Sequence, residues 1–402
     1  MNRFQTDVAI VGGGMVGVAL ACLLDKSGVS VTLIEQQPPA AFDPEQPHDL
    51  RVSAISPASQ RILTAAGAWG GVIGRRACPY RRMRVWEQRG FGDTHFDAAQ
   101  GGEPVLGHIV ENRVVQLALW DQMARSRTLS LCAPAAIAQL EYDPAGSELV
   151  LDNGDQVHCQ LLVGAEGAQS RVREAAGIGV RAHEYDQHAL IAYVETEAPQ
   201  QDITWQRFLA PGPQALLPLT GHHASLVWYE RPDEVARLLG LGDDDFLDQL
   251  LTRFPPELGG VRALLGRASF PLRRQHALRY VDAGVALVGD AAHSIHPLAG
   301  QGVNIGLLDA AVLSEVLSEA VTAGAAIGSR QVLRRYEAKR RTHNLLVMNG
   351  MELLQRGFGN QQPLLKGLRN LALAAAEHSG PLKKRAVRFA MGLEGDLPAV
   401  AR

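Results

Sequence analysis

The strongest constraint lies at the start of the chain. The apolar run Asp7-Val8-Ala9-Ile10-Val11 leads straight into Gly12-Gly13-Gly14-Met15-Val16-Gly17, and Ala19–Leu24 continues as an apolar stretch. The run has the character of a buried parallel strand, and the stretch after the glycines has that of a helix. Gly12, Gly14 and Gly17 hold G-x-G-x-x-G spacing. Gly12 permits a tight turn, Gly14 lets backbone approach a pyrophosphate, and Gly17 lets helix and strand pack closely. The helix N-terminus, with Met15 and Val16 in its first turn, would aim free N–H groups and a positive dipole end at phosphates. A second strand, Val29–Ile34, ends at Glu35. That acid lies about 20 residues beyond Gly14, where a carboxylate takes ribose hydroxyls. Glu35 would repel a 2′-phosphate, which disfavours NADP in this site.

A second glycine segment lies near the other end. Val285–Val288 reads as a strand and runs into Gly289-Asp290-Ala291-Ala292-His293, then Pro297-Leu298-Ala299-Gly300-Gln301-Gly302-Val303-Asn304. One glycine loop suggests a dinucleotide. Two suggest a large dinucleotide held at both ends, FAD more than NAD. Asp290 stands at a strand end, where open α/β sheets bind ligands, and would accept from a ribityl hydroxyl. Pro297 stiffens the loop, and Gly300 and Gly302 let backbone lie against a flat ring. Pro297–Gly302 is thus the expected ring-facing loop. A long helix then runs from Asn304 through Ile305–Ala320, its N-terminal dipole favouring negative charge on a reduced flavin. A tight strand-to-helix turn capped by Asp290 is the plainer reading of the same residues. His293 and His296 stand three apart, but no third ligand is evident, so no metal is expected.

With 402 residues the chain is long enough for two domains and a large core. Its net charge of −3 supplies no overall field for nucleic acid. No apolar run reaches the roughly 18 residues of a membrane span, and the start lacks the pattern of a signal peptide. Cys22, Cys78, Cys132 and Cys159 show no C-x-x-C spacing, so they read as reduced thiols of a cytoplasmic protein.

From about Asp7 to about Leu393 the chain resembles the single-component flavoprotein aromatic hydroxylases, and more narrowly the aerobic hydroxylases of the ubiquinone ring. The resemblance is carried by Gly12–Gly17, by Asp49-Leu50-Arg51-Val52-Ser53-Ala54-Ile55-Ser56, by Gly107-His108-Ile109-Val110-Glu111-Asn112 and by Gly289–Asn304. Softer likenesses at Pro79–Met83, Phe96–Ala99, Leu226–Tyr229 and His276–Tyr280 are similar to the branch that hydroxylates the demethoxy-ubiquinol intermediate, a 2-polyprenyl-3-methyl-6-methoxy-1,4-benzoquinol. The resemblance implies an α/β fold: a Rossmann-like FAD-binding domain of the para-hydroxybenzoate-hydroxylase kind, an inserted β-sheet substrate domain and a C-terminal helical segment. It implies a monooxygenase in which NADH or NADPH reduces FAD. O2 then gives a flavin C4a-hydroperoxide that hydroxylates a polyprenylated phenol or quinol. By the same resemblance Glu35 is the adenosine-ribose ligand, Arg51 lies near the cofactor, Asp290 meets the ribityl chain and Pro297–Asn304 lies under the isoalloxazine. One motif departs from the family. Its usual Asp-Gly is Glu166-Gly167 here, and the longer acid would shift contacts at the cofactor or the nicotinamide path. A prenyl-lipid reductase, or a flavin-binding subunit of the ubiquinone biosynthetic complex, are the alternatives.

Because both glycine segments must meet around one cofactor, the FAD domain is expected to be discontinuous: residues 1–77, 105–182 and 281–345. Residues 78–104 and 183–280 would form the substrate sheet, and 346–402 the C-terminal helical region. Strands are expected at Ala189–Val194, Trp205–Leu209, Gln214–Leu219 and Ser225–Tyr229, with helix between Asp233 and Phe254. His188, Tyr193, His222, His223 and Tyr229 are candidate bases for a substrate hydroxyl. Trp205, Phe208, Leu216, Leu217, Pro218, Trp228 and Phe270 read equally as pocket lining or sheet core. Arg171 and Arg173 read equally as phosphate neighbours or surface charges. The basic tail Pro363–Met391 suits either an anionic membrane surface or a helix packed on the FAD domain. A peripheral position on the inner face of the plasma membrane, and self-association, are compatible with the family.

Overall fold

The computed structural model describes residues 2–88, 90, 92–295, 302–359, 377 and 379–402. Its first sheet has five parallel strands, in the order Val285–Leu287, Gln156–Gly164, Arg3–Val11, Val31–Ile34 and Leu129–Cys132. Val281–Asp282 lies antiparallel at one edge, and Ser147–Leu151 and Ile137–Glu141 join as an antiparallel flap. Val8, Ala9 and Ile10 have no exposed surface, because helices cover the strand; such a strand reads as an unbroken apolar run. The second strand begins at Val31 rather than Val29. Asp7 Oδ2 accepts from the Ser30 N–H at 2.8 Å and its hydroxyl at 2.7 Å, and that turn delays the ladder.

Register brings the two glycine segments together. Val11 pairs with Gly164, and Gly164 with Leu287. Three neighbouring strands therefore end side by side, at Val11, Gly164 and Leu287, just before Gly12, Ala165 and Gly289, although these residues are far apart in sequence. Above them lie the helices Met15–Leu24 and Gly302–Thr322. The latter starts two residues before Asn304, so Gly302 and Val303 belong to its first turn.

The second sheet runs in the order His293–Ser294, Val261–Ala277, Val180–Thr196, His223–Glu230, Gln214–Leu219, Ile203–Phe208, Arg82–Glu87 and Asp93–Asp97. Arg82–Glu87 enters it by parallel pairing with Ile203–Phe208. The 17-residue strands Val180–Thr196 and Val261–Ala277 pair along most of their length, interrupted by register shifts. Helices Pro232–Leu239 and Asp243–Arg253 cover one face. Their Val235, Leu238, Phe246 and Leu250 form a core with Trp205, Leu226 and Trp228. Trp205 and Trp228 are thus sheet core under helices. A small third sheet, Val52–Ile55, Gly107–Glu111 and Cys78–Tyr80, packs against the helices Asn112–Met123 and Gly302–Thr322 and the strand Gln214–Leu219. No helix among the described residues is long and apolar enough to cross a membrane.

The described part of the basic tail is the helix Pro381–Ala390. Val387 and Met391 are buried and abut Gly101, while Lys384 and Arg385 point outward. The helix is packed and its basic face solvated at once. The rest of Pro363–Met391 lies largely outside the described residues.

Candidate active site

The first loop is shaped by backbone. Gly12 has φ +109°, and a Cβ there would stand 2.5 Å from the Ala165 carbonyl carbon. A Cβ on Gly17 would stand 2.0 Å from the Gly12 oxygen. Gly14 is different. Its φ is −72°, and a Cβ would meet nothing within 4 Å. The protein itself gives no reason for glycine at 14; room for a ligand against the backbone does. Gly14 caps the helix Met15–Leu24 with no side-chain bond, leaving the first-turn N–H groups of Met15 and Val16 at a partly open surface. The Glu35 carboxylate closes one side. It accepts from the Gly13 N–H at 2.5 Å and the Gln37 N–H at 2.7 Å. Gln116 Nε2 and Trp120 Nε1 both donate to the Gly13 carbonyl, at 2.8 and 2.9 Å. Lone pairs remain on Glu35 for hydroxyl donors.

At the second loop, Gly289 has φ +58°, and Asp290 comes next in a single 3-10 turn, Gly289–Ala291. Asp290 is solvent-accessible. Crowding by protein raises its carboxyl pKa, opposed by nearby His293, Arg51 and Arg273. Asn304 is only 3% exposed; its Oδ1 accepts from the Ser56 N–H at 3.0 Å and its Nδ2 donates to the Ala54 carbonyl at 2.8 Å. These bonds pin the helix Gly302–Thr322 to the third sheet, so the Asn304 side chain serves the scaffold of the site. Pro297, Leu298, Ala299, Gly300 and Gln301 lie outside the described residues.

A third wall is only partly legible in the sequence. Gln46, Pro47, His48, Asp49, Leu50, Arg51, Asn112, Arg113, Gln116 and Phe270 line an open cavity of about 750 Å³. Arg51 is exposed there, its guanidinium 5.6 Å from the Phe270 ring centre. Two ion pairs brace its loop. Arg113 grips Asp49 at 2.8 and 2.9 Å, and Arg76 meets the buried Glu111, which also accepts the Asp49 N–H at 2.8 Å. Of the candidate bases, the structure brings Tyr193 and His223 together around His48, which sequence reasoning did not single out. His48 Nδ1 lies 3.0 Å from the Tyr193 hydroxyl and Nε2 3.0 Å from the Thr220 hydroxyl. The His48 and His223 ring centres are 5.2 Å apart. Burial, helped by Arg76, pushes His48 down to about 4, so it is neutral at neutral pH, one ring nitrogen donating and the other accepting between the Tyr193 and Thr220 hydroxyls. A histidine in a proline-rich loop gives no sequence signal for this. Tyr229 is 4% exposed and packs with Ala189 and Leu272; burial pushes its hydroxyl well up.

Glu166 is turned toward its own helix. Its Oε1 accepts from the Val172 N–H at 2.8 Å, at the start of Arg171–Ala175, and burial raises its carboxyl pKa. Arg171 donates to the Ile137 carbonyl, and buried Arg173 to that of Ala291 at 3.1 Å. Arg173 is thus not a surface charge; it supports the Asp290 turn. Burial pushes the thiols of Cys22, Cys78 and Cys159 up to about 12 and that of Cys132 to about 11, so none is a nucleophile at neutral pH. The described residues contain no His, Cys, Asp and Glu group arranged to hold a metal.

The features present fit a flavin dinucleotide: an open glycine cradle at a helix N-terminus, a carboxylate flanking it, and a second carboxylate at a neighbouring strand end. Residues 5–350 match the family described as FAD binding domain. The chain is 44% identical to the 3-demethoxyubiquinol 3-hydroxylase of Escherichia coli K12, across 98% of this chain and 100% of that protein. It is 42% identical to the ubiquinone hydroxylase UbiL of Rhodospirillum rubrum, across 96% and 89%. Among solved structures, p-nitrophenol 4-monooxygenase PnpA of Pseudomonas putida superposes with a TM-score of 0.80 at 18% identity, covering 98% of this chain and all of that one.

Proposed function

We propose, from the premise that the chain belongs to the FAD-binding-domain family and within it to the ubiquinone ring hydroxylases, that it hydroxylates the ring of a polyprenylated quinol using FAD, NAD(P)H and O2. The substrate is a demethoxy-ubiquinol. The observation that carries the reading is the side-by-side ending of three parallel strands at Val11, Gly164 and Leu287, just before Gly12, Ala165 and Gly289, with an open cradle at Gly14.

Bound FAD supplies hydride acceptance and oxygen activation. The chain binds and orients. Met15 and Val16 N–H groups would meet the pyrophosphate, Glu35 the adenosine ribose and Asp290 the ribityl chain. Gly302, Val303 and the Asn304 backbone form a helix N-terminus that would favour negative charge on a reduced flavin. Arg51 stands at the open wall. Residues 1–77, 105–182 and 281–345 act as the FAD domain; 78–104 and 183–280 form the roof that excludes water from the reacting ring. A prenyl tail partitions into lipid, and the outward Lys384 and Arg385 suit a peripheral approach to an anionic membrane surface.

Purified protein should carry stoichiometric FAD. With NAD(P)H, a soluble demethoxy-ubiquinol analogue and isotopically labelled O2, the new hydroxyl should hold the label. Unlabelled product would point to a reductase, and bound FAD without turnover to a flavin-binding subunit. Lipids from cells lacking the protein should contain the quinone precursor short of this one hydroxyl. Within the site, Glu35→Ala should weaken FAD by about tenfold or more, the usual cost of losing hydrogen bonds to a charged group. Fluorescence titration measures it, and unchanged affinity would remove Glu35 from the ribose.

A further inference from the structure

A single buried carboxylate stands where the elements that build the cofactor cradle cross. Asp309, in the helix Gly302–Thr322, has no exposed surface. Its Oδ2 accepts from the Gly289 N–H at 3.1 Å and from His293 Nε2 at 2.5 Å. Its Oδ1 accepts from Arg340 Nε at 2.7 Å and Asn344 Nδ2 at 3.1 Å. Four donors fill the capacity of one carboxylate. Gly289 and His293 bracket Asp290. The residue that would meet the ribityl chain therefore hangs between two points fixed to the same group.

The node also ties this turn to the first glycine loop and the second sheet. The Val16 side chain lies against Gly289 and Gly306, where a Cβ would meet it at 3.3 and 2.7 Å. His293 pairs with His276 across the ladder that joins the turn to Val261–Ala277. Arg340 is itself locked: it donates to the Ile305 carbonyl at 3.2 Å and to Asn344 Oδ1 at 2.7 Å. Asn344 continues to the Tyr280 hydroxyl at 3.3 Å, which lies 3.0 Å from His276 Nε2. Arg340 and His293 are each 1% exposed, and His293 Nδ1 has no partner among the described residues. Burial opposes charge on Asp309, yet His293 and Arg340 hold its carboxyl below the usual range. Asp290 in turn feels both His293 and Asp309. So many ions and polar groups in a dry core are costly unless they are paired and hydrogen-bonded; here the bonds converge on one turn.

We propose that Asp309, Arg340 and His293 form the positioning centre of the cofactor turn. The carboxylate sets where Asp290 meets FAD, and its balance against Arg340 sets the charge felt by the bound flavin. This rests on the FAD reading above. Asp309→Asn leaves Arg340 unbalanced and sets an amide donor against the Gly289 N–H. Arg340→Gln leaves the carboxylate unbalanced. The reduced flavin is the more negative form, so the two variants should act oppositely. The ratio of dissociation constants for oxidised over reduced FAD should rise about tenfold in Asp309→Asn and fall about tenfold in Arg340→Gln. That reads as midpoint-potential shifts of about 30 mV upward and downward for a two-electron couple. A purely structural role would weaken both redox forms alike and leave the potential unmoved. Either buried change can prevent folding, so a second pair decides independently. His293→Gln keeps a nitrogen donor toward Asp309 and should bind oxidised FAD within about threefold of wild type; His293→Leu should bind at least about tenfold more weakly. Potentials that do not move, or move the same way, would overturn the proposal, as would equal FAD binding by the two His293 variants. Wild-type protein that takes up no FAD would instead overturn the reading beneath it, and the proposal with it.

Discussion

Alanine at position 17 will yield a protein that loses its FAD during purification. The added Cβ would lie 2.0 Å from the Gly12 carbonyl oxygen and 3.1 Å from the Ala165 Cβ. Neither obstacle is the loose end of a side chain. The helix Met15–Leu24 must therefore retreat from the strand Arg3–Val11, and its first-turn N–H groups retreat with it. Forced overpacking of this kind costs about 1–3 kcal/mol of stability. The cofactor suffers more, because the donors it needs have moved. We expect FAD to bind at least about 100-fold more weakly, near 3 kcal/mol. Alanine at position 14 is the informative contrast. Its Cβ meets no protein atom, and φ −72° suits any residue. The FAD-free melting temperature should stay within about 2 °C of wild type, as for a surface substitution. FAD affinity should still fall about tenfold or more, because the methyl enters the space a pyrophosphate must occupy. Flavin-to-protein absorbance after gel filtration and melting of the FAD-free forms separate the two effects. A Gly17→Ala protein as yellow as wild type, or a Gly14→Ala protein with unchanged affinity, would mean that the cradle does not hold a pyrophosphate.

The range of the interactions explains why this loop is legible in the sequence and other parts of the site are not. Each glycine in Gly12–Gly17 answers to a constraint within the loop or one strand away, and the strand and helix around it carry their own periodicity. The motif gives no sign that the Asn304 side chain also binds Ala54 and Ser56. A partner some 250 positions away leaves no trace in spacing. Asp309 and Arg340 look like ordinary helical charges until folding brings them within 2.7 Å. Trp205 and Trp228 could line a pocket or a core; only the position of the two covering helices decides for core. The outer halves of Val180–Thr196 and Val261–Ala277 do not read as strands. Arg273, Arg274 and Pro271 break the alternation expected of a half-buried strand, and the pairing shifts register between Glu184 and His188. His48 escapes notice because a loop histidine becomes informative only beside Tyr193 and Thr220.

Acid should destabilise this protein well before carboxylate titration would. Burial pushes four histidines, His48, His108, His276 and His343, down to about 4 from an ordinary 6.5. A histidine with a depressed folded pKa binds its proton more readily when unfolded. Its contribution to stability is therefore complete above pH 6.5 and is lost as the pH falls from 6.5 toward 4. The carboxyls of Glu111, Glu166 and Glu230 act the other way, since burial raises each of them and protonation favours the folded form. Their unfolded counterparts titrate near 4.5, so most of their compensation arrives only once the histidine loss is under way. Allowing about 1 kcal/mol per histidine at pH 5, a discounted share of the full shift, the melting temperature should drop by about 5 °C or more between pH 7 and pH 5. Between pH 7 and pH 8.5 these groups contribute no slope. Calorimetry of the FAD-free protein at constant ionic strength keeps cofactor loss out of the measurement. His108 is the cleanest group to remove, because its Nδ1 is buried without a partner among the described residues and its ring meets Trp69 edge-on. His108→Gln should flatten the decline by roughly a quarter, one group of four with equal shares. A melting temperature that is level from pH 7 to pH 5 would show that these rings take up protons in the folded chain as easily as in the unfolded one.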